Sequence, residues 1–365
     1  ILNKMAEKTP TIICFEDLHW ADPSSLELIR YIINKINVPL VLLTITRPVI
    51  ELFPETLIDK MAFEYHDIRI DDLNSADAKI MVKSLLKTDL IPEGLERFVE
   101  NKAQGNPFYL EEIINSLIES GVLSEHNGEW VLEGEITESR ISSSIHGVIS
   151  ARVDRLEEAS RKIIQEASVI GRSFYYKIIT HITETQKDIR QRLQTLENLD
   201  LIKSRQTHID LEYIFKHALT QEVVYRGLLR TDRQIIHEKI GTVIEEIFSD
   251  RLPEFYETLA HHFSKGTSAI KAADYLVKSG VKCLNRFSLD ESHDFFQQGY
   301  DLLNTIDPQS YEIKELIIDL LTRWAYVFYF TGEFKTLESL LFSHTEILDE
   351  IKTLETKAMF CAWMG

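Results

Sequence analysis

A short apolar run that ends in two acids constrains the fold of this chain more than any other stretch. Within Thr11–Asp22, the apolar residues 12–15 are followed directly by Glu16 and Asp17, and Pro23 then begins a helix. A short apolar run bounded by turn signals is typical of a buried parallel strand. Open α/β sheets bind ligands at the carboxyl edge, where these acids would lie. The alternative is a strand that ends in a solvated acidic turn.

The residues that follow predict a βαβ unit. Apolar residues recur at helical spacing to about Lys35, and Leu40–Thr46 predicts a second, fully buried strand that Arg47 follows. Two parallel strands require a crossover of this kind. We expect a further strand at Tyr65–Ile70, so the beginning of the chain is assigned to an α/β fold.

The middle of the chain is predicted to be mainly helical. Asn74 and Pro92 each open a helix, and a third helix begins within Gly105–Glu112. Asn127-Gly128 between two apolar runs indicates a β-hairpin. The periodicity then predicts one long helix over Ser144–Ala167.

Two strands are expected at Leu201–Ser204 and Ile209–Tyr213, and with the preceding helices they outline a winged helix. The next helix is expected to begin at Phe215. After Pro253 only helices are expected, the last over 334–353, and their pair length of about 34 residues is typical of tetratricopeptide repeats. Small side chains on one helix there face bulky aromatic side chains on the next.

Composition excludes several classes of protein. The 365 residues, 44% hydrophobic and 27% charged, suggest two or three globular domains. No apolar run approaches the ~18 residues of a membrane span, and no signal peptide is recognised. Three scattered cysteines are typical of reduced thiols in a cytoplasmic protein. The net charge of −18 argues against nucleic acid as a partner.

Four segments together resemble a known family, the STAND signalling ATPases, whose AAA-type (Orc1-like) modules occur in LuxR-type regulators, large kinases and soluble class III nucleotide cyclases. Residues 15–25 resemble the Walker B segment and residues 44–48 the sensor 1 segment. Residues 105–112 are similar to the G-N-P lid motif. Residues 215–219 with 225–229 resemble the end of the winged-helix region.

The resemblance implies a site for ATP or ADP with Mg²⁺. It places Glu16 at the Mg²⁺ shell, where the family usually has Asp, and Asp17 beside the attacking water. Arg47 would reach the γ-phosphate with its forked guanidinium, unless it forms a salt bridge with Glu16, Asp17 or Asp22. Glutamate is one methylene longer than aspartate, which leaves the metal geometry open.

The resemblance also implies two nucleotide contacts further along the chain. Pro107 would pack on the adenine or ribose, and its position at a helix start explains it equally well. His217 would contact the β-phosphate of a bound diphosphate, or else serve as a local structural partner. We expect His19 and Trp20 to be packing residues and Asp22 to cap a helix.

The sequence contains no G-x-x-x-x-G-K-[ST] phosphate loop and begins at Ile1 without a methionine. We therefore expect a fragment that starts after the Walker A loop and does not hydrolyse ATP unaided. The expected domains are a partial P-loop NTPase core at 1–71, an all-α lid at 72–140, a winged helix at 141–250, and tetratricopeptide-like repeats at 251–365.

The expected function is an ATP-binding regulatory switch, in which slow hydrolysis resets a conformational state. Its partners would be ATP, the other domains of the same chain, and a protein bound to the repeats, without membrane or nucleic acid. One alternative is a non-catalytic scaffold with a degenerate nucleotide site. A second is a transcriptional regulator, but Thr185–Ile235 carries nine Lys or Arg against seven Asp or Glu, without a basic stripe.

Overall fold

The structure is a computed structural model, and it describes residues 2–35, 38–47, 53, 64–133, 142, 144–183, 188–207, 211–306 and 310–365. Within these ranges the protein is mostly helical, with three small sheets. Its contacts divide it into two units, Ile1–Asp71 and Asp72–Gly365. None of the described helices is both long and apolar enough to cross a membrane.

The first unit contains the predicted βαβ arrangement. Its elements are α1 (Leu2–Ala6), β1 (Thr11–Phe15), a 3-10 turn (Leu18–Trp20), α2 (Pro23–Lys35) and β2 (Leu40–Thr44). The two strands are parallel, with Thr11 opposite Leu40 and Phe15 opposite Thr44. Leu18, Ile29 and Ile33 form the buried core of this unit.

The prediction that both strands are fully buried is wrong for the described residues. Side chains alternate between half-buried and exposed along β1 and β2, and Ile12 is 71% exposed. Phe15 and Leu42 pack against the Leu18–Ile29–Ile33 core, which covers one face of the pair. Full burial of a parallel pair requires a layer on each face, and the apolar run alone does not report how many layers are present.

The predicted strand at Tyr65–Ile70 is also wrong. Residues 64–72 have no regular structure, and Ile70 is 89% exposed. β-branched and aromatic residues favour strands only where a neighbouring strand satisfies the backbone groups. None of the other described residues pairs with this segment.

The second unit begins with three helices and a hairpin. They are α3 (Ser75–Leu86), α4 (Leu95–Ala103), α5 (Pro107–Glu119), β3 (Leu123–His126) and β4 (Glu129–Leu132). Asn127 and Gly128 both have positive φ, 52° and 88°, as a two-residue type I′ hairpin requires. The predicted hairpin is confirmed.

Helices and a three-stranded sheet follow. They are α6 (Ile145–Asp154), α7 (Glu158–Ile170), β5 (Ser173–Tyr175), α8 (Tyr176–Ile182), α9 (Ile189–Asn198), β6 (Ile202–Gln206) and β7 (Leu211–Phe215). The sheet is antiparallel in the order β5-β7-β6. The three-residue strand β5 was not predicted, and Ile209 and Asp210 lie outside the described residues. The winged-helix assignment stays a prediction.

Two predicted helix boundaries in this region are corrected. The single helix expected over Ser144–Ala167 is interrupted after Asp154, because Glu157 has an extended backbone, with φ −53° and ψ 141°. The apolar period continues across the break, since Leu156 is buried. No Gly or Pro in the sequence indicates that the helix ends there. The helix expected from Phe215 begins at Ala218, because Phe215 is the last residue of β7.

The remaining helices pack successively along the chain. They are α10 (Ala218–Gly227), α11 (Arg230–Ile247), α12 (Tyr256–Lys265), α13 (Ala269–Leu284), α14 (Leu289–Asn304), α15 (Tyr311–Thr331), α16 (Phe334–Phe342) and α17 (Leu354–Met364). The helix expected over 334–353 therefore ends at Phe342. Gly280 faces the ring of Phe296, which is the small-against-bulky contact that the sequence predicted. The tetratricopeptide assignment stays a prediction.

Candidate functional site

Three of the predicted site residues follow the ends of two paired strands. Glu16 and Asp17 come directly after β1, and Arg47 lies three residues beyond the end of β2. Two backbone hydrogen bonds join the connecting segments: Ile45 N–H donates to the Phe15 carbonyl at 2.8 Å, and Leu18 N–H donates to the Ile45 carbonyl at 3.1 Å. The carboxyl edge therefore carries two acids and one arginine.

Asp17 has the most constrained backbone at this edge. Its φ of 55° and ψ of 35° lie in the left-handed region, which asparagine and aspartate adopt more readily than other non-glycine residues. The turn directs the chain from β1 into the 3-10 turn at Leu18. Glu16 and Arg47 are exposed, and Asp17 is half-buried. All three side chains have access to solvent at the strand ends.

The flanking residues have mixed outcomes. Asp22 caps α2 as predicted: its carboxylate accepts from the Ser25 N–H at 2.7 Å and from the Ser25 hydroxyl at 2.8 Å. Trp20 is 78% exposed, so its predicted packing role is wrong. Leu18 takes the buried position of the 3-10 turn, and Trp20 is the exposed last residue of that turn. The ring of His19 lies 5.2 Å from that of Trp20.

These residues are compatible with Mg²⁺ that arrives together with a nucleotide. Among the described residues, no group of three or more His, Cys, Asp and Glu side chains is arranged to hold a metal ion. Mg²⁺ is normally bound by one or two carboxylates together with phosphate oxygens and water. Glu16 and Asp17 would supply the two carboxylates, and the phosphates would complete the shell.

The other two predicted residues lie in the second unit, around the start of α5. The Asn106 side chain accepts from the Tyr109 N–H at 2.9 Å, and Pro107 is the exposed first residue of the helix. Gly105 has φ 81°, and a Cβ at this position would lie 2.7 Å from the Leu73 carbonyl oxygen. Each residue of the G-N-P motif thus has a structural reason, and the helix-start interpretation of Pro107 is confirmed. Its nucleotide contact stays a prediction.

His217 lies beside the same helix. Its ring is 4.0 Å from that of Phe108, the residue after Pro107. Its Nε2 lies 3.5 Å from Glu111 Oε2, at the outer limit of hydrogen-bond distance. The structure thus brings His217 against the start of the Pro107 helix, and both the phosphate contact and the local structural role of His217 stay predictions.

Lys216 provides the stronger contact to this helix. Its Nζ donates to Glu111 Oε1 at 2.5 Å and lies 3.2 Å from Asp200 Oδ2. His217 and, at shorter range, Lys216 lower the pKa of Glu111 to about 2. The sequence did not single out Lys216 or Glu111, although both lie within the segments that resemble the family motifs.

A buried ion cluster joins α5 to α6, and sequence reasoning missed it. Arg152 on α6, with a side chain only 1% exposed, binds Glu112 and Glu119 on α5. Burial opposes its charge, but the hydrogen bonds to Glu119 and the charges of both glutamates raise the pKa of Arg152. The sequence did contain a signal for this cluster, because Arg152 lies on the same apolar helix face as Val148 and Ile149.

The five predicted residues fall into two groups. Glu16, Asp17 and Arg47 belong to the first unit, whereas Pro107 and His217 belong to the second. The structure brings the members of each group together within their own unit. The nucleotide contacts expected of each group stay predictions.

Comparisons with known proteins add distant similarities. No family model matches the sequence. An uncharacterized protein of Rhizobium meliloti (strain 1021) is 21% identical over 323 residues, which are 82% of this chain and 29% of that protein. The crystal structure of a signal transduction ATPase with numerous domains (STAND) from Pyrococcus horikoshii, a protein with a tetratricopeptide repeat sensor, is 13% identical. It aligns with a TM-score of 0.46 over 99% of this chain and 53% of its own. Similarities this low do not place the chain in a family.

Proposed function

We propose that this chain is part of an ATP-binding regulatory switch, in which bound nucleotide sets the arrangement of the domains and slow hydrolysis resets it. The observation that carries the proposal is the carboxyl edge of β1 and β2, where Glu16 and Asp17 lie at the end of one strand and Arg47 beyond the end of the other. This combination suits the polyphosphate of a nucleotide and its cation.

Each of the three side chains at this edge would have a separate role. Glu16 and Asp17 would hold Mg²⁺, which neutralises phosphate charge when it is bound. Asp17 would also orient the attacking water, because its left-handed backbone conformation fixes the direction in which its side chain leaves the chain. Arg47 would bind the γ-phosphate with its planar guanidinium.

The contacts around α5 suggest how the second unit would respond. Pro107 would pack on the adenine or ribose, and His217 would bind the β-phosphate of a diphosphate. His217 would then exchange the carboxylate of Glu111, 3.5 Å from its Nε2, for a phosphate. Lys216 would hold α5 in place during this exchange through its bond to Glu111. The region around β7 and α10 would thus act as an intramolecular lid arm.

Nucleotide binding by the intact protein that contains this sequence tests the proposal. Binding of a fluorescent ATP or ADP analogue with Mg²⁺ is measured for wild type, Asp17→Asn, Arg47→Ala and His217→Ala, with ATP hydrolysis measured in parallel. We expect Asp17→Asn to reduce hydrolysis at least about 100-fold while the nucleotide still binds. His217→Ala should weaken ADP more than ATP.

The matched control is Glu27→Gln, which removes an exposed carboxylate of α2 in the same unit. It should leave binding and hydrolysis unchanged. Failure of the wild-type protein to bind nucleotide would overturn the proposal. Equal hydrolysis by wild type and Asp17→Asn would remove Asp17 from the site.

The scaffold alternative is favoured by a group of partly exposed aromatic side chains on the last helices. Each ring lies 4.9–6.1 Å from at least one other ring of the group, which consists of Tyr326, Tyr329, Phe330, Phe334 and Trp363. Aromatic residues are enriched at protein interfaces. A switch would change its protein contacts with the bound nucleotide, whereas a scaffold would bind its partner equally with and without nucleotide. An N-terminal nucleotide cyclase or kinase domain is the partner that we propose for the switch.

The transcription-factor alternative receives less support. Several basic side chains of the proposed winged helix are engaged within the chain: Arg192 with Glu157, Arg205 with Glu212, Lys216 with Glu111 and Arg226 with Glu222. Phosphate contacts require available positive charge. These ion pairs reduce the charge that this region offers to DNA, so we prefer the lid arm.

A further inference from the structure

Three consecutive helices meet at a buried pair of histidines. His237 on α11 and His262 on α12 are each only 1% exposed, and their Nδ1 atoms are 2.9 Å apart. On the other side of the first ring, His237 Nε2 lies 3.1 Å from the hydroxyl of Tyr225 on α10. Helices α11 and α12 approach closely here: a Cβ at Gly241 would lie 2.7 Å from the Phe263 ring.

The pair has room for only one proton between its two Nδ1 atoms. A neutral imidazole has one N–H donor and one acceptor nitrogen, so one Nδ1 donates and the other accepts. Whichever ring donates, Tyr225 completes the chain, because its hydroxyl both donates and accepts. A single hydrogen-bond chain therefore joins α10, α11 and α12 while both histidines are neutral.

The surroundings of the pair are basic. The charges that act on His237 come from Arg233 on α11 and from His261 and Lys265 on α12, and those on His262 come from the neighbouring histidines. Arg233 lies over the ring of Tyr225, 5.0 Å from its centroid.

The charges that act on the two rings include no compensating acid from the described part of the other packed helices. Within the described residues, none of the charges that act on the two rings comes from α7, α8 or α13. Glu238, next to His237 in sequence, instead accepts the backbone N–H groups of Thr267 and Ser268 at the start of α13, at 2.8 and 3.0 Å.

We propose that the Tyr225–His237–His262 chain is a pH-sensitive joint, which holds α12 against α10 and α11 while the imidazoles are neutral and releases it when they are protonated. A second proton, on the accepting Nδ1, would place two N–H groups face to face across 2.9 Å. It would also add a buried positive charge next to other cations. The proposal does not depend on nucleotide binding.

The direction of the pH effect follows from linkage. Burial lowers the pKa of both His237 and His262 from 6.5 to about 3 in the folded chain. Between these values the open state binds more protons than the closed state, so acid favours opening. The joint is fully closed above about pH 6.5 and is progressively weakened as the pH falls below that value.

Amide hydrogen exchange of the 365-residue polypeptide tests the joint. Exchange of the peptides that cover α11 and α12 is compared at pH 7.5 and 5.5, after correction for intrinsic exchange rates. Linkage predicts that the opening equilibrium of this region rises about 10-fold for each histidine that becomes solvated on opening. Peptides from α15 serve as the internal reference.

The double variant His237→Gln/His262→Asn keeps side-chain amides near the ring nitrogens and has no group that titrates in this range. It should lose the pH dependence, whereas His181→Asn, which changes an exposed histidine of α8, should retain it. Identical pH dependence in the double variant would overturn the proposal. If the double variant does not fold, NMR titration of the wild-type imidazoles decides, since ordinary titration of His237 or His262 near pH 6.5 in the folded chain would equally overturn it.

Discussion

Arg152 donates from one guanidinium nitrogen to both carboxylate oxygens of Glu112, at 2.8 Å each, and both side chains are almost completely buried. The same guanidinium reaches Glu119 and donates to the Leu199 carbonyl at 2.8 Å. One side chain on α6 thus connects α5 to the end of α9. The segment with the G-N-P motif is held to the next part of the chain by charge as well as by apolar packing.

Replacing Arg152 by methionine should destabilise the second unit by about 3–5 kcal/mol, because Glu112 is left buried without its cation and the half-buried Glu119 keeps only Arg155. Urea unfolding followed by circular dichroism measures the change. Arg155→Met is the matched control: Arg155 also binds Glu119, but its side chain is 34% exposed, and we expect a loss of about 1 kcal/mol or less. Equal losses for the two variants would contradict the role of Arg152.

Glu111→Gln should lower stability at neutral pH by about 1.5–3 kcal/mol, since it removes the charged acceptor of Lys216. The folded-state pKa of Glu111 is about 2 and its ordinary value is 4.5, so its contribution is present above about pH 4.5 and is lost as the pH falls toward 2. Unfolding measured from pH 7 to 2.5 should show a smaller acid-induced loss in the variant. Glu125→Gln, at an exposed position of β3, should behave like the wild type.

Substitutions in the G-N-P motif distinguish a residue that stabilises α5 from one that would contact nucleotide. Asn106→Ala should cost about 1 kcal/mol, because it removes the cap of α5. Pro107→Ala should change stability by less than about 0.5 kcal/mol, since the proline is exposed and alanine is tolerated at the start of a helix. Thermal unfolding measures both. If Pro107→Ala nevertheless weakens nucleotide binding in the intact protein, the proposed contact with adenine or ribose is supported, and unchanged binding would contradict it.

Gly280→Ala should destabilise the helical array by about 1–3 kcal/mol through overpacking. The added Cβ would lie 2.9 Å from the ring of Phe296, which is fully buried and has little room to move. Gly227→Ala is the control, because the residue is helical and no atom outside its chain neighbours and its own helix backbone lies within 4 Å of the Cβ position. It should be neutral or stabilising by up to about 1 kcal/mol. A neutral Gly280→Ala would contradict the tight contact between α13 and α14.

Local signals predicted most of the regular structure. Strand β1, helix α2 and strand β2 follow from an apolar run, a proline with a capping aspartate, and a second apolar run. Asn127-Gly128 predicted its hairpin because few other dipeptides adopt positive φ at both residues. Each of these signals acts over a few residues and needs no distant partner.

The errors arise where a distant partner decides the outcome. Tyr65–Ile70 has the composition of a strand, but none of the other described residues pairs with it. The interruption before Glu158 leaves the apolar period intact, so periodicity did not detect it. The three residues of β5 are too few for a pattern, and they form a strand because β7 pairs with them.

The sequence by itself determined most of the elements and the residues that follow β1 and β2, because hydrophobic periodicity, caps and turn residues are local properties of the chain. Only the tertiary structure decided which charged side chains meet. Glu111 and Lys216 are 105 positions apart in the chain, and Arg152 and Glu112 are 40 apart. Pairing of distant charges depends on how the helices pack, because packing brings the carboxylates to the cations and excludes water from them.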